Sequence, residues 1–134
     1  MMKRGSPTWW LVLLMVLAPA WAVLADTPRI TGIYSDMHYY EDAGDLAGME
    51  VIIVLGPSAP GGAFWVLFQD SGGEPSTPIL VQATVTGQKI EFTLPADASS
   101  LGTFRGKVTE AALVGRFSGM QGKIRLPRGR SYWQ

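Results

Sequence analysis

The sequence contains no cysteine, no asparagine and only one histidine. The absence of cysteine excludes a disulfide scaffold, a thiolate metal site and a cysteine nucleophile. A single histidine excludes a multi-histidine metal centre, and without asparagine there is no acceptor for N-glycosylation. The chain has 134 residues, of which 47% are hydrophobic, and this argues against disorder and supports one domain with one modest core.

Residues 1–25 have the pattern of an export signal. Lys3 and Arg4 are followed by an uncharged apolar stretch over residues 9–25, which ends in small residues suited to cleavage after Ala25. The pattern predicts a cleaved signal peptide and a mature domain of residues 26–134, located in the periplasm or secreted. A retained transmembrane anchor is the alternative, because the apolar stretch is about as long as the shortest membrane-spanning helices. After cleavage we expect no stable membrane insertion.

Glycine and proline divide the mature chain into short segments in which apolar and polar residues alternate, as in half-buried strands. No segment of helical length has a three-four apolar repeat. The alternation predicts an all-β domain with eight strands, near residues 30–39, 50–55, 63–69, 79–86, 89–94, 103–109, 112–118 and 123–126.

Short links between these segments favour antiparallel neighbours and therefore a meander. Eight meandering strands can close into a small up-and-down barrel, which removes exposed sheet edges. Gly106 and Gly115 fall on core-facing sides of their strands, where a barrel bends or a neighbour approaches closely. A two-sheet β-sandwich is the main alternative.

Two short segments carry a family resemblance. Residues 30–34 (Ile-Thr-Gly-Ile-Tyr) and the glycine-spaced pair of segments at 104–108 and 113–117 resemble the small exported barrels of the lipocalin and avidin type. Lipocalins open with Gly-x-Trp, and Tyr34 occupies the third position here. The resemblance implies a ligand in the barrel mouth or interior. The last residues, Arg-Gly-Arg-Ser-Tyr-Trp-Gln, also resemble the ends of short uncharacterised exported bacterial proteins.

Charge is distributed unevenly along the mature chain. Residues 26–99 have a net charge of −8, and residues 100–134 have a net charge of +6. Strand alternation places Arg105, Lys107, Arg116 and Arg125 on outward faces of neighbouring strands, where they can form one anion-binding patch. Alternatively, in a closed barrel the basic residues 123–130 pair with the acidic residues between 36 and 50, which stabilises closure without any ligand. The mature net charge of −2 argues against nucleic acid as a partner.

The remaining candidate residues are aromatic or lie near the single histidine. Tyr34, Trp65 and Trp133 are candidates for a ligand or partner surface, and an apolar patch around Trp65 is either exposed or covered by the end of the chain. His38 shares a face with Asp36, which suggests a metal ligand, a general base or an ordinary strand-end histidine. No motif indicates a catalytic residue, a cofactor or a metal site.

These observations predict a non-enzymatic exported barrel that binds a small ligand or an envelope protein. The alternative is an inhibitor of a secreted hydrolase, such as lysozyme or a protease, since such inhibitors are also small exported barrels. A third hypothesis is an enzyme with a pocket that joins His38 to a serine or a carboxylate.

Overall fold

The computed structural model describes residues 28–57 and 63–134, which form an antiparallel β-structure of nine strands. The expected signal peptide at residues 1–25 lies outside the described residues. In the described ranges no helix is long and apolar enough to cross a membrane. The strands are β1 (Gly32–Ser35), β2 (His38–Tyr40), β3 (Asp45–Gly56), β4 (Ala63–Gly73), β5 (Ile79–Thr86), β6 (Lys89–Thr93), β7 (Thr103–Val108), β8 (Ala112–Phe117) and β9 (Ile124–Pro127).

The strands form one meandering sheet with the order β1-β3-β4-β5-β6-β7-β8-β9, and β2 pairs with the start of β3. The sheet nearly closes on itself, because an antiparallel bridge joins Tyr34 to Arg128, and the Gly129 amide donates to the Ile33 carbonyl at 3.0 Å. The predicted all-β meander with eight barrel strands is thus confirmed.

The segment predicted as one strand over residues 30–39 is two strands, β1 and β2, which both pair with β3. The interruption is at Asp36, whose carboxylate accepts a hydrogen bond from the Met49 amide at 2.7 Å. Its own amide donates to the Met49 carbonyl at 3.1 Å. Opposite, Gly48 has φ +111° and lies so close to the Asp36 carbonyl that a Cβ would come within 2.7 Å of it. Only glycine fits this close crossing.

Strands β3 and β4 are longer than predicted, since Leu46 to Met49 pair with Asp70 to Gly73. The glycines at 48, 72 and 73 lie inside this two-stranded extension. This extension carries β2 and the turn that follows it beyond the main barrel.

The barrel interior is filled by side chains from every main strand, chiefly aromatic and branched residues. Four phenylalanine rings pack together at its centre, with centroid separations between 5.0 and 5.9 Å. These rings are Phe68, Phe92, Phe104 and Phe117. Aromatic pairs at such distances stabilise a core beyond the burial of their area.

Gly106 and Gly115 lie opposite each other on β7 and β8 and face the interior, as predicted. A Cβ on Gly106 would approach the Val114 carbonyl oxygen to 2.5 Å and the Phe104 ring to 2.6 Å. A Cβ on Gly115 would approach the Arg105 carbonyl to 2.4 Å. The two glycines therefore let the Phe104 ring pack directly against the strand backbone.

Candidate binding surfaces

Six cations lie on the outer side of the sheet over β6 to β9, a surface that we call the cationic face. Its side chains are exposed, and they are Lys89, Arg105, Lys107, Arg116, Lys123 and Arg125. Cross-strand register places Arg105 directly opposite Arg116, and Lys89 directly opposite Lys107. The structure thus brings together the four basic residues that the sequence predicted as one patch, places Lys123 of the basic C-terminal segment beside them, and adds Lys89.

A groove of about 700 Å³ runs along the cationic face. Backbone at Gly106 and Gly115 contributes to its lining, together with Val114 and the hydroxyl-bearing Thr103 and Ser118. Four of the six cations also line it, namely Arg105, Lys107, Arg116 and Lys123. A second groove of about 470 Å³ adjoins it and shares Arg105 while extending to Lys89. The arrangement can accommodate an anion along the outside of the barrel.

The cationic face has one acidic neighbour. Glu91 accepts from the Arg105 guanidinium at 2.9 Å, and this is the one ion pair within 4.0 Å in the described ranges. No ion pair there connects residues 123–130 to the acidic side chains between residues 36 and 50. The alternative interpretation of the charge asymmetry, closure by opposite charges on the first and last strands, is therefore not what holds this barrel.

Closure depends instead on Arg128, whose guanidinium donates to backbone carbonyls. Nη1 donates to Thr31 at 3.1 Å, and Nη2 donates to Arg29 and to Thr109. The same guanidinium lies over the Tyr34 ring, 4.8 Å from its centroid. One charged side chain thus joins the start of the barrel to its end and to the link between β7 and β8.

Tyr34, a predicted binding residue, is fully buried in the core and offers no surface to an outside partner. Its hydroxyl donates to the Ile30 carbonyl at 2.7 Å. Burial raises the pKa of the Tyr34 hydroxyl above its ordinary value, against the opposing charges of Arg128 and Arg29. The residue serves packing and closure, with Arg128 stacked on it.

The last residues, which we call the C-terminal tail (129–134), cross the outside of β1 and β3. Glu50 is buried beneath them, at 3% exposure, and its carboxylate accepts from the Ser131 hydroxyl at 2.6 Å and the Tyr132 amide at 2.9 Å. The Trp133 indole N–H donates to the Gln69 side chain at 2.9 Å. Because a buried carboxylate without partners is costly, these bonds fix the tail in place.

The tail lies beside an outward row of apolar residues on neighbouring strands. Ile33, Ile52, Leu67 and Leu80 stand opposite one another in register across β1, β3, β4 and β5. With Trp133 and Gln69 the first three line a groove of about 560 Å³. We call this surface the tail-covered face. Trp65 lies on the same side of the sheet, opposite Val54. Trp133 is about half exposed and forms one wall of the groove.

His38 lies on an exposed hairpin rather than in a cleft. All eight residues from His38 to Asp45 are exposed, including Tyr39, Tyr40 and the acids Glu41, Asp42 and Asp45. The His38 Nδ1 is 2.7 Å from the Asp36 carbonyl oxygen, and the ring contacts the Tyr40 ring edge to face at 4.3 Å. In the described part of the chain no three acidic or histidine side chains cluster as a metal site would require.

Sequence reasoning did not assign roles to Arg128 or Glu50. Arg128 was counted only within the basic C-terminal segment, and Glu50 only within the acidic one. A signal for Glu50 was present, since it occupies the outward position of a strand whose next outward residues, Ile52 and Val54, are apolar. A charge in such a row indicates a local partner.

Comparison with known proteins gives no identity: no family model, no curated protein and no solved structure matches this chain.

Proposed function

We propose that this chain is a non-enzymatic exported binding protein whose partner docks on the outside of the barrel. The observation that carries this proposal is the contrast between interior and exterior. Four packed phenylalanine rings occupy the space that a ligand-binding barrel of the lipocalin type leaves open. The grooves of about 700, 560 and 470 Å³ are instead lined by outward side chains.

Export is proposed from residues 1–25, which carry the charge, apolar stretch and small residues of a signal peptide. The likeness to lipocalin-type barrels remains part of the proposal. Its support is the meander itself and the opening Gly32-Ile33-Tyr34, over which Arg128 is stacked. A role in binding rather than catalysis is supported by His38, whose exposed ring lies within hydrogen-bond distance of the Asp36 carbonyl and contacts the Tyr40 ring.

The test is expression of the full chain in a Gram-negative host, followed by periplasmic extraction and native mass spectrometry. We expect a protein beginning at Asp26, with a partner that dissociates when the ionic strength is raised. An uncleaved protein in the membrane pellet would contradict signal cleavage and indicate a retained anchor. A small molecule that persists at high salt and also protects the core from unfolding would contradict docking on the outside.

A second candidate is inhibition of a secreted hydrolase, which the exposed hairpin at residues 38–45 favours. A projecting segment with two exposed tyrosines and three acids suits insertion into an enzyme cleft. Inhibition of lysozyme or a secreted protease, abolished by Tyr39→Ala with Tyr40→Ala and unaffected by Arg116→Glu, would establish this function. No inhibition across such a panel would remove it.

A further inference from the structure

The cationic face carries charge that the fold itself does not use. Arg105 and Arg116 lie directly opposite each other, and so do Lys89 and Lys107. Like charges in directly opposed positions destabilise strand pairing. Glu91 pairs with Arg105, but in the described residues no carboxylate lies within 4.0 Å of the other five cations of the face. These cations weaken the pairing of their strands, and five of them have no carboxylate partner in the described residues. This combination indicates an anionic partner outside the chain.

The groove on the cationic face is as long as the two strands that it follows. The groove follows β7 and β8, six residues each, which corresponds to roughly 20 Å of strand length. Cations two residues apart on one strand, such as Arg105 and Lys107, repeat at roughly 6.6 Å. Long cationic side chains border a floor that includes backbone at Gly106 and Gly115. A chain with regularly spaced anionic groups fits along such a groove.

We propose that the cationic face binds a linear polymer whose anionic groups are phosphates, and that this polymer is not a nucleic acid, against which the net charge of residues 26–134 argues. This inference rests on the proposed function, in which the partner docks outside the barrel, and it names the chemical class of that partner. Facing pairs such as Arg105 and Arg116 present two cations to one point of the groove. Each phosphate within such a chain carries one negative charge and two free oxygens, so successive phosphates can each accept hydrogen bonds from the cations of a facing pair.

The test is binding of fluorescently labelled inorganic polyphosphate to the purified exported protein, followed by anisotropy at several salt concentrations. Neutralising several phosphates predicts a log–log salt slope of about −2 to −4. Arg116→Glu is expected to weaken binding about tenfold or more, the loss of one strong contact. The control is Arg130→Glu, the same charge change at an exposed position after β9, and it is expected to weaken binding less than about twofold.

A stability measurement on Arg116→Glu and one further variant, Glu91→Gln, make the test independent of folding defects. Arg116→Glu places a carboxylate opposite Arg105, so its melting temperature is expected to rise while its affinity falls. Glu91→Gln releases Arg105 from its ion pair and is expected to tighten binding of polyphosphate. Weaker binding by both variants would show that affinity does not follow the charge of this face and would overturn the proposal.

Three other results would also overturn it. Polyglutamate of matched charge that binds as tightly as polyphosphate would remove the selectivity for phosphate. Stronger association with phosphatidylglycerol vesicles would indicate a bilayer. Self-association of the protein alone, abolished by Glu41→Lys, would indicate that the acidic hairpin of a second copy fills the groove. If polyphosphate fails while the native protein still retains a salt-sensitive partner, the proposed function stands and only this inference is lost.

Discussion

The two outer faces of the barrel differ in whether the chain itself supplies partners for their charged side chains. On the tail-covered face the single acid, Glu50, is buried and receives hydrogen bonds from Ser131 and Tyr132. On the cationic face only Arg105 of the six exposed cations pairs with a carboxylate in the described residues, and two pairs of like charges stand opposite each other. Residues 129–134 thus supply hydrogen bonds to the acid of the tail-covered face, whereas in the described residues five cations of the cationic face have no carboxylate within 4.0 Å.

The charged residues of the two faces are also expected to differ in role, those of one face contributing to stability and those of the other to binding. Hydrogen-bonded charges such as the buried Glu50 and the partly buried Arg128 hold the fold, and their loss leaves unsatisfied polar groups. Exposed charges such as Arg116 add little to the fold, and their removal relieves repulsion. Substitutions on the two faces are therefore expected to act on different properties.

The largest expected loss of stability follows substitution of a glycine that lies beneath the cationic face. Gly106→Leu forces a side chain into the Val114 carbonyl and the Phe104 ring, and it is expected to destabilise the barrel by about 3 kcal/mol or more. Gly129→Ala is the control, since a Cβ there meets nothing within 4 Å. Thermal denaturation followed by circular dichroism measures both variants. An unchanged melting temperature for Gly106→Leu would contradict its inward placement against the ring.

A smaller loss of stability is expected when the acid on the tail-covered face is replaced, and a still smaller one when the acid beside the cationic face is replaced. Glu50→Ala leaves the Ser131 hydroxyl and the Tyr132 amide without their acceptor and is expected to cost about 2 kcal/mol. Glu91→Ala breaks an exposed ion pair, whose partner side chains are 66% and 50% exposed, and is expected to cost less than about 1 kcal/mol. Urea denaturation gives both values. Equal losses would show that the two faces do not differ in the way described.

How far the sequence predicted this structure depends on the range of the interactions. Period-two alternation is local, so it located eight strands and the inward positions of residues such as Phe104 and Gly115. It also placed Arg105 and Arg116 on one outer face, because register within a short hairpin follows from the turn. The contacts from Glu50 to Ser131 and from Arg128 to Thr31 span 81 and 97 residues, and no local pattern specifies them.

Removing a hydrogen bond at the closure of the barrel is expected to lower stability by an intermediate amount. The size of this loss depends on pH. Tyr34→Phe removes the hydrogen bond to the Ile30 carbonyl and is expected to cost about 1 kcal/mol at neutral pH. Because the folded protein has the higher Tyr34 pKa, its stabilising contribution is complete below the ordinary value near 10.0 and declines as the pH rises past it. Denaturation between neutral pH and about pH 11 should therefore show a steeper decline in wild type than in the variant. Parallel profiles would contradict burial as the cause of the shift.

The smallest expected effect has the opposite sign. Arg116→Glu replaces a like-charge pair with an opposite-charge pair across β7 and β8, so it is expected to stabilise the barrel by about 0.2–1 kcal/mol. Urea denaturation at low ionic strength measures the gain, which should shrink as salt is added. A loss of stability would mean that the fold relies on Arg116, and the contrast between the two faces would fail.

The most direct measurement is an amide chemical-shift titration of the isotope-labelled protein with inorganic polyphosphate. The account predicts that the shifted amides belong to β6, β7, β8 and β9, with the largest changes near Arg105, Lys107 and Arg116. Amides around Glu50 and Ser131, and the Trp133 indole, should remain unchanged. Changes concentrated in the tail-covered face, with none on the cationic face, would contradict the assignment of the two faces.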